Sequence, residues 1–289
     1  EMAEWFKMKL KTFYNIYYRH RIQKASHLLK VHLFVSLIIK YIVNLYYLPK
    51  KKNLDNFSKK NSYLFNKDLN FLCEFFNSDK GENFINQYVQ PSKRKNKKII
   101  AHGYAKIYEK YLKNNKDRIS NIIELGSFYG NASAAFFFYF KNAQIYSADI
   151  NPDMYLYSSK RLENFFTDTS SRLSIEKNIL NKNIKFDLII EDASHMLKDQ
   201  IISLFILFKT LKSGGLFIVE EIDFPEKRED MRLDQDFPDL KTILKKIMNK
   251  ENFNSKYINE NEKFFFLDNV ETIEFYNGNI NEIAVIKKK

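Results

Sequence analysis

The 289-residue sequence predicts an α/β fold: a mostly parallel sheet that ends in an antiparallel hairpin, preceded by a helical N-terminal extension. Three observations carry this. From about residue 118 short apolar runs alternate with helical stretches, the pattern of a parallel sheet covered on both faces. Near the C-terminus, "VETIEFYNGNINEIAVIKK" reads as two strands around an Asn-Gly turn. The first sixty residues are basic, aromatic and helical in pattern. Hydrophobic residues make up 45% of the chain, enough for a full core. The organisation expected is an extension over 1–60, a segment over 61–117 that leads into the fold with substrate- and cofactor-lid elements, and a ligand-binding domain over 118–289.

The net charge of +12 is unevenly placed. Residues 1–60 hold 13 Lys and Arg against 3 Asp and Glu, whereas residues 102–289 hold 27 against 28. A nucleic-acid enzyme would carry its excess around the active site, so nucleic acid is not the expected partner. Within the extension, "LLKVHLFVSLIIKYIVNLYYL" at 28–48 sets His32, Ser36, Lys40 and Asn44 every fourth position. On a helix these form one narrow stripe and all else is apolar. Three readings stay open: attachment to an anionic membrane surface, burial against protein, and a true span, the last opposed by Lys40. "PKKKN" at 49–53 closes the segment with a basic cluster, and "PSKRKNKK" at 91–98 reads as a mobile surface loop. A single cysteine, Cys73, rules out an intrachain disulfide framework and a cysteine-cluster zinc site. A cytoplasmic protein, peripheral on the inner face of the membrane, fits these features. Glu1 precedes Met2, so Glu1 is not expected to be the native start.

The sheet elements follow in order. "SNIIELGSFYGN" is a strand running into a glycine turn, "ASAAFFFYFKN" a helix, and "AQIYSADIN" a second strand ending at Asp149. "DMYLYSSKRLENFF" reads as helical, "RLSIEKN" as a short third strand and "KFDLIIEDASH" as a fourth. "KDQIISLFILFKTLK" is read as an amphipathic helix stopped by Gly214-Gly215, and "GLFIVEEID" as the fifth strand.

Ligands of such sheets bind beyond the carboxyl ends of the strands. The polar residues expected there are Glu124, Asp149, Asn178, Asp192, His195, Glu220 and Glu221. Gly126 and Gly130 let a ligand approach the backbone. Asp149, some twenty residues on, can accept from both hydroxyls of a ribose, which implies an adenosine-type cofactor. Neither Gly-x-Gly-x-x-Gly nor a Walker lysine is present. Ser194 beside His195 does not make a hydrolase, because no Gly-x-Ser-x-Gly elbow surrounds it. For the carboxylates, capping of turns and helices is the competing role; for His195 it is a strand-end hydrogen bond. Lys80 is read as solvated.

These segments resemble the class I S-adenosylmethionine-dependent methyltransferases. "IIELGSFYG" is similar to their first motif, "ADIN" to the acidic end of the second strand, and "LKSGGLFIVEE" to the turn into the fifth. "EDASH" followed by "LKSGGLFIVEEID", with "SDKG" at 78–81 and "HGYAKIYEKYL" at 102–112, resembles the macrocin O-methyltransferase-like group, which methylates sugar hydroxyls. The resemblance covers about residues 78–288. It implies a Rossmann-like methyltransferase sheet and S-adenosylmethionine at Glu124, Gly126, Gly130, Asp149 and Asn178. It also implies a divalent metal, Mg2+, on Asp192, Glu220 and Glu221, with His195 as general base. His102 and Tyr104 would line the site of a sugar or glycan-type acceptor, small or lipid-linked. The sequence departs from the pattern at Phe128, where the first motif has glycine, at Glu221, where Asp is common, and at Asn178, where Asp is often found. A catalytically impaired, membrane-associated scaffold and a nicotinamide-dependent oxidoreductase remain as other readings. The oligomeric state stays open.

Overall fold

The computed structural model describes residues 5–19, 22, 25–43, 47–87, 97–232 and 235–289; most of the 91–98 basic stretch lies outside them. A seven-stranded sheet runs through the middle of the chain: β1 (Asn121–Leu125), β2 (Gln144–Asp149), β3 (Leu162–Phe166), β4 (Phe186–Glu191), β5 (Leu211–Val219), β6 (Val270–Asn277) and β7 (Glu282–Lys288). Their order is β6-β7-β5-β4-β1-β2-β3. All pairings are parallel except those of β7, which runs against both β5 and β6. The sheet is therefore the one expected, a mostly parallel Rossmann-like sheet with a C-terminal antiparallel hairpin.

Alternate residues of each strand feed opposite layers, as the pleat requires. Ile122, Leu188, Ile190 and Ile218 point into one core with helices α4 (Leu69–Phe75), α5 (Ala105–Leu112) and α6 (Asn131–Tyr139). Ile123, Ile189, Phe217 and Val219 point into the other, with α7 (Arg172–Asn178), α8 (Leu197–Leu207), α10 (Leu240–Met248) and α11 (Glu260–Asn269). A short helix, α9 (Phe224–Lys227), follows β5. α8 is buried on nearly every side and is not amphipathic, because α10 and α11 cover the face expected to meet water. It ends at Leu207 with a further 3-10 turn to Thr210, and Gly214-Gly215 lie within β5.

The third strand is not where the pattern placed it. "RLSIEKN" forms helix α7, begun by Ser171, whose hydroxyl accepts from the Ser174 amide. The stretch read as helical instead contains β3, paired in parallel with β2 from Ile145↔Leu162 to Asp149↔Phe166. Local anchors hold this course. Asp55 accepts from the Ser159 hydroxyl and the Lys160 amide, and Arg161 donates to the carbonyls of Phe137, Phe140 and Ala143 at the end of α6.

The N-terminal extension is woven into the domain. Helices α1 (Leu10–Tyr17) and α2 (His27–Val43) share a core of Phe13, Tyr18, Leu33 and Leu37 with Tyr129 and Met154 of the sheet region. Ahead of α3 (Leu54–Lys60), Lys52–Asn53 pair in parallel with Tyr157–Ser158. No described helix is long and apolar enough to cross a membrane.

Candidate active site

Three strand ends stand in register at the centre of the sheet: Leu125 of β1 opposite Glu191 of β4, and Glu191 opposite Val219 of β5. The chain reverses strand order between β1 and β4, and the residues just past these ends face one another. The Asp192 amide donates to the Leu125 carbonyl (3.0 Å) and the Glu220 amide to the Glu191 carbonyl (2.9 Å). Gly126 (φ 86°) lies so close that a Cβ would stand 2.0 Å from the Asp192 carbonyl oxygen. Its lack of a side chain serves the approach of the β4 loop, where the sequence suggested the approach of a ligand. Gly130 (φ 78°) opens α6 and is packed against the Tyr155 ring in the same way.

Lys80, expected in solvent, is 2% exposed and inserts its ammonium among these ends. Nζ lies 2.9 Å from Glu220 Oε2 and 3.4 Å from Glu124 Oε1, and it donates to Asp192 Oδ2. Burial alone would push this amine down; Asp192, Glu220 and Glu124 reverse that and hold it well above its usual range. The Tyr108 hydroxyl donates to the other Glu220 oxygen. Both Glu220 oxygens are thus engaged by protein, so Glu220 does not stand free beside Asp192 and Glu221 as expected. Burial raises the Glu124 carboxyl to about 7, although Lys80 and a Ser133 hydroxyl at 2.9 Å counter it. Lys80 and Tyr108 come from the segment before the sheet. The only sequence signal for them was their place in "SDKG" and "HGYAKIYEKYL".

On the other side of Asp192, three groups of metal-ligating type gather within 4.8 Å: Asp192, His195 and Glu221. His195 Nε2 is 3.8 Å from Asp192 Oδ1, and Nδ1 is 3.6 Å from Glu221 Oε2. Neither His195 Nδ1 nor Glu221 Oε2 has a hydrogen-bond partner, although both are buried. Burial pushes the His195 imidazole down, partly offset by the charge of Asp192. Burial also pushes the Glu221 carboxyl well up, and Asp192 adds to it. The other Glu221 oxygen is 3.1 Å from His102 Nδ1. The His102 ring stacks on Tyr104, centroids 5.2 Å apart. Tyr104 is fully buried, which corrects its expected place on an acceptor surface: it supports His102 from beneath.

Several of these residues hold a backbone that side chains disfavour. Phe128, His195 and Glu221 have φ of 45°, 54° and 45°. Such strain, about 1–3 kcal/mol each, persists where the surroundings over-determine it and gathers at functional sites. Phe128 keeps the left-handed turn that a glycine would take, and its amide donates to Asp149 Oδ2 at 2.8 Å.

Two cavities meet at Gly126, Asp149, Ile150 and Ala193. One, of about 230 Å³, reaches Lys80, Glu124, Asp192 and His195. The other, of about 350 Å³, opens beyond β2 and β3 along Thr167, Asp168 and Ser170. Asp149 stands between them, its oxygens accepting from the Phe128 and Asn151 amides; burial raises its carboxyl and these bonds oppose that. Asn178 lines neither cavity. It ends α7 and donates to Ser174 Oγ, not at the strand end expected of it. Asp168, two residues past the true β3, stands at the strand end where Asn178 was expected. The N-terminal extension supplies part of the wall: Asn15 of α1 and Arg19, two residues past its end, line the larger cavity, Asn15 donates to Asn151 Oδ1 (2.9 Å), and Arg19 pairs with Asp168 (3.0 Å).

No protein-family model matches the chain, and no curated protein does. Among solved structures the chain is similar to the MycE methyltransferase from the mycinamycin biosynthetic pathway in complex with Mg and SAH, at 17% identity and a TM-score of 0.57, over 77% of this chain and 55% of that one. The same methyltransferase in complex with Mg, SAH and mycinamycin VI gives 17% and 0.57, over 77% and 54%. A second crystal form with Mg and SAH gives 17% and 0.55, over 77% and 53%. The chain spans about half the length of these structures, and at this identity the likeness establishes the fold.

Proposed function

We propose that this chain is an S-adenosylmethionine-dependent O-methyltransferase that acts on a hydroxyl of a sugar or glycan-type acceptor, with a divalent metal and His195 as general base. The observation that carries the reading is the junction of the two cavities at Asp149 and Gly126, the smaller of them lined by Asp192 and His195 of the Asp192–His195–Glu221 cluster. The larger cavity suits an adenosine, with Asp149 presenting carboxylate lone pairs for ribose hydroxyls. The smaller one carries polar groups towards the cluster. MycE was solved with Mg and SAH, and with mycinamycin VI in one case, which supports the cofactor and metal classes proposed here.

The donor set fits a hard divalent ion: two carboxylates, Asp192 and Glu221, the latter with a buried oxygen that lacks a hydrogen-bond partner. Asp192 and Glu221 would hold it, while Glu220 is kept back by Lys80 and Tyr108. When bound, S-adenosylmethionine supplies an electrophilic methyl and magnesium lowers the pKa of a chelated hydroxyl. His195 Nδ1 faces Glu221 at 3.6 Å and Nε2 faces Asp192 at 3.8 Å; as general base the neutral imidazole would take the proton of the acceptor hydroxyl. His102, held by Glu221 and Tyr104, stands at the acceptor side. The left-handed Phe128 and its bond to Asp149 speak for an intact cofactor loop and against the scaffold reading.

Calorimetric titration of the full chain with S-adenosylmethionine, S-adenosylhomocysteine and NAD, with and without magnesium, tests this. The two sulfur compounds should bind and NAD should not. Binding of NAD alone would overturn the proposal, and binding of none would favour the scaffold.

A further inference from the structure

The outer face of α2 is apolar and open. Phe34, Val35, Ile38, Ile39 and Ile42 are 48%, 54%, 45%, 55% and 63% exposed. With Leu28 and Val31 they span an arc of about 140° around the helix axis, which takes in His27 at the first residue of the helix. The opposite face is already used. Leu33 and Leu37 are buried beside Phe13 and Tyr18, Ser36 Oγ meets Tyr18 Oη at 3.1 Å, and the Tyr41 hydroxyl donates to the Met8 carbonyl. The open arc is therefore not a face awaiting the protein's own core.

Charge decides what covers it. Lys30 lies beside the arc on one side and His32 on the other, with Lys40 further round the helix. Between residues 5 and 54 the sequence has eleven Lys and Arg and no Asp or Glu. A second copy docked through the same face would set these basic rims against each other with no acid in either segment to relieve them. An anionic lipid surface supplies the complement: acyl chains for the arc, headgroup phosphates for the rims. We infer that α2 lies in the interface of an anionic membrane, with its Phe34–Ile42 face inserted. The inference stands on the helix alone and does not rest on the proposed reaction. Its consequence for the site is direct, because α2 packs on α1, and Asn15 of α1 and Arg19, two residues past its end, stand in the wall of the larger cavity.

The test is co-sedimentation of the full chain with vesicles of phosphatidylglycerol and phosphatidylcholine, and with phosphatidylcholine alone. The protein should bind the anionic vesicles at least about tenfold more tightly than the neutral ones, and less in high salt. The double variant Ile38→Asn with Ile42→Asn should lose about tenfold or more of that binding at an unchanged unfolding midpoint, since both side chains are exposed. Equal binding by variant and wild type would overturn the inference, as would no binding by the wild type. A dimer that the double variant dissociates, without vesicle affinity, would assign the face to a second copy and also overturn it.

Discussion

Lys80 Nζ stands 2.9 Å from Glu220 Oε2, with Tyr108 on that carboxylate's other oxygen and Glu124 and Asp192 on the same ammonium. One buried cation therefore ties the ends of β1, β4 and β5 together. Desolvating so many charges is costly, and the cluster is stable because each has a partner. Lys80→Met removes the shared partner of three carboxylates. We expect a loss of about 3–5 kcal/mol in unfolding free energy by urea denaturation. Glu220→Gln should cost less, since Lys80 keeps Asp192 and Glu124. A Lys80→Met variant as stable as wild type would contradict the role assigned to this amine.

The proposed base, His195, belongs to the same cluster as the carboxylates proposed to hold the metal. The two roles separate in one variant. His195→Ala should retain S-adenosylhomocysteine and magnesium binding by calorimetry while turnover falls by about 10²–10⁴. A large loss of metal affinity would instead make His195 a ligand, and normal turnover would remove it from the chemistry.

Arg19, two residues past α1, pairs with Asp168 at the rim of the larger cavity. Burial alone would raise the Asp168 carboxyl, but the Ser170 hydroxyl and Arg19 turn it down. The pair is partly solvated, so Arg19→Ala should cost under about 1 kcal/mol of stability. If Arg19 helps close the cofactor cavity, S-adenosylhomocysteine should bind about tenfold more weakly, as loss of one charge-assisted contact predicts. Unchanged affinity would leave Arg19 a purely structural contact.

Much of the fold was legible because periodicity survives in the central strands. β1, β4 and β5 each carry a short apolar run (Ile122–Ile123, Leu188–Ile190 and Leu216–Val219) with an acid directly after it, and the hairpin announces itself at Asn277-Gly278. The third strand was not legible: "LENFF" alternates poorly, sits at the sheet edge and is held by Asp55 and Arg161, contacts remote in sequence. That error alone displaced Asn178 from the site. Asp192, His195 and Glu221 could be read from paired strand ends, since parallel neighbours bring such ends together. Lys80 and Arg19 could not, because they reach the site from segments whose packing no local pattern encodes.

Glu191 offers a test of the buried charge at the same strand ends. Its side chain is fully buried, and burial, with Asp192 and Asp199 nearby, pushes it up to about 8 against the opposing pull of the Ala193 amide. The unfolded chain would ionise it near 4.5. Between these values the folded state holds a proton that the unfolded state has released, so stability falls as pH rises through that window and levels off above it. Glu191→Gln keeps the shape of the protonated acid and abolishes the titration. The variant should match wild type near pH 4 and unfold at a higher temperature near pH 8, with the gap opening across the window. Parallel pH profiles for the two proteins would show that Glu191 stays ionised in the fold, with a partner supplied by solvent or a bound cation.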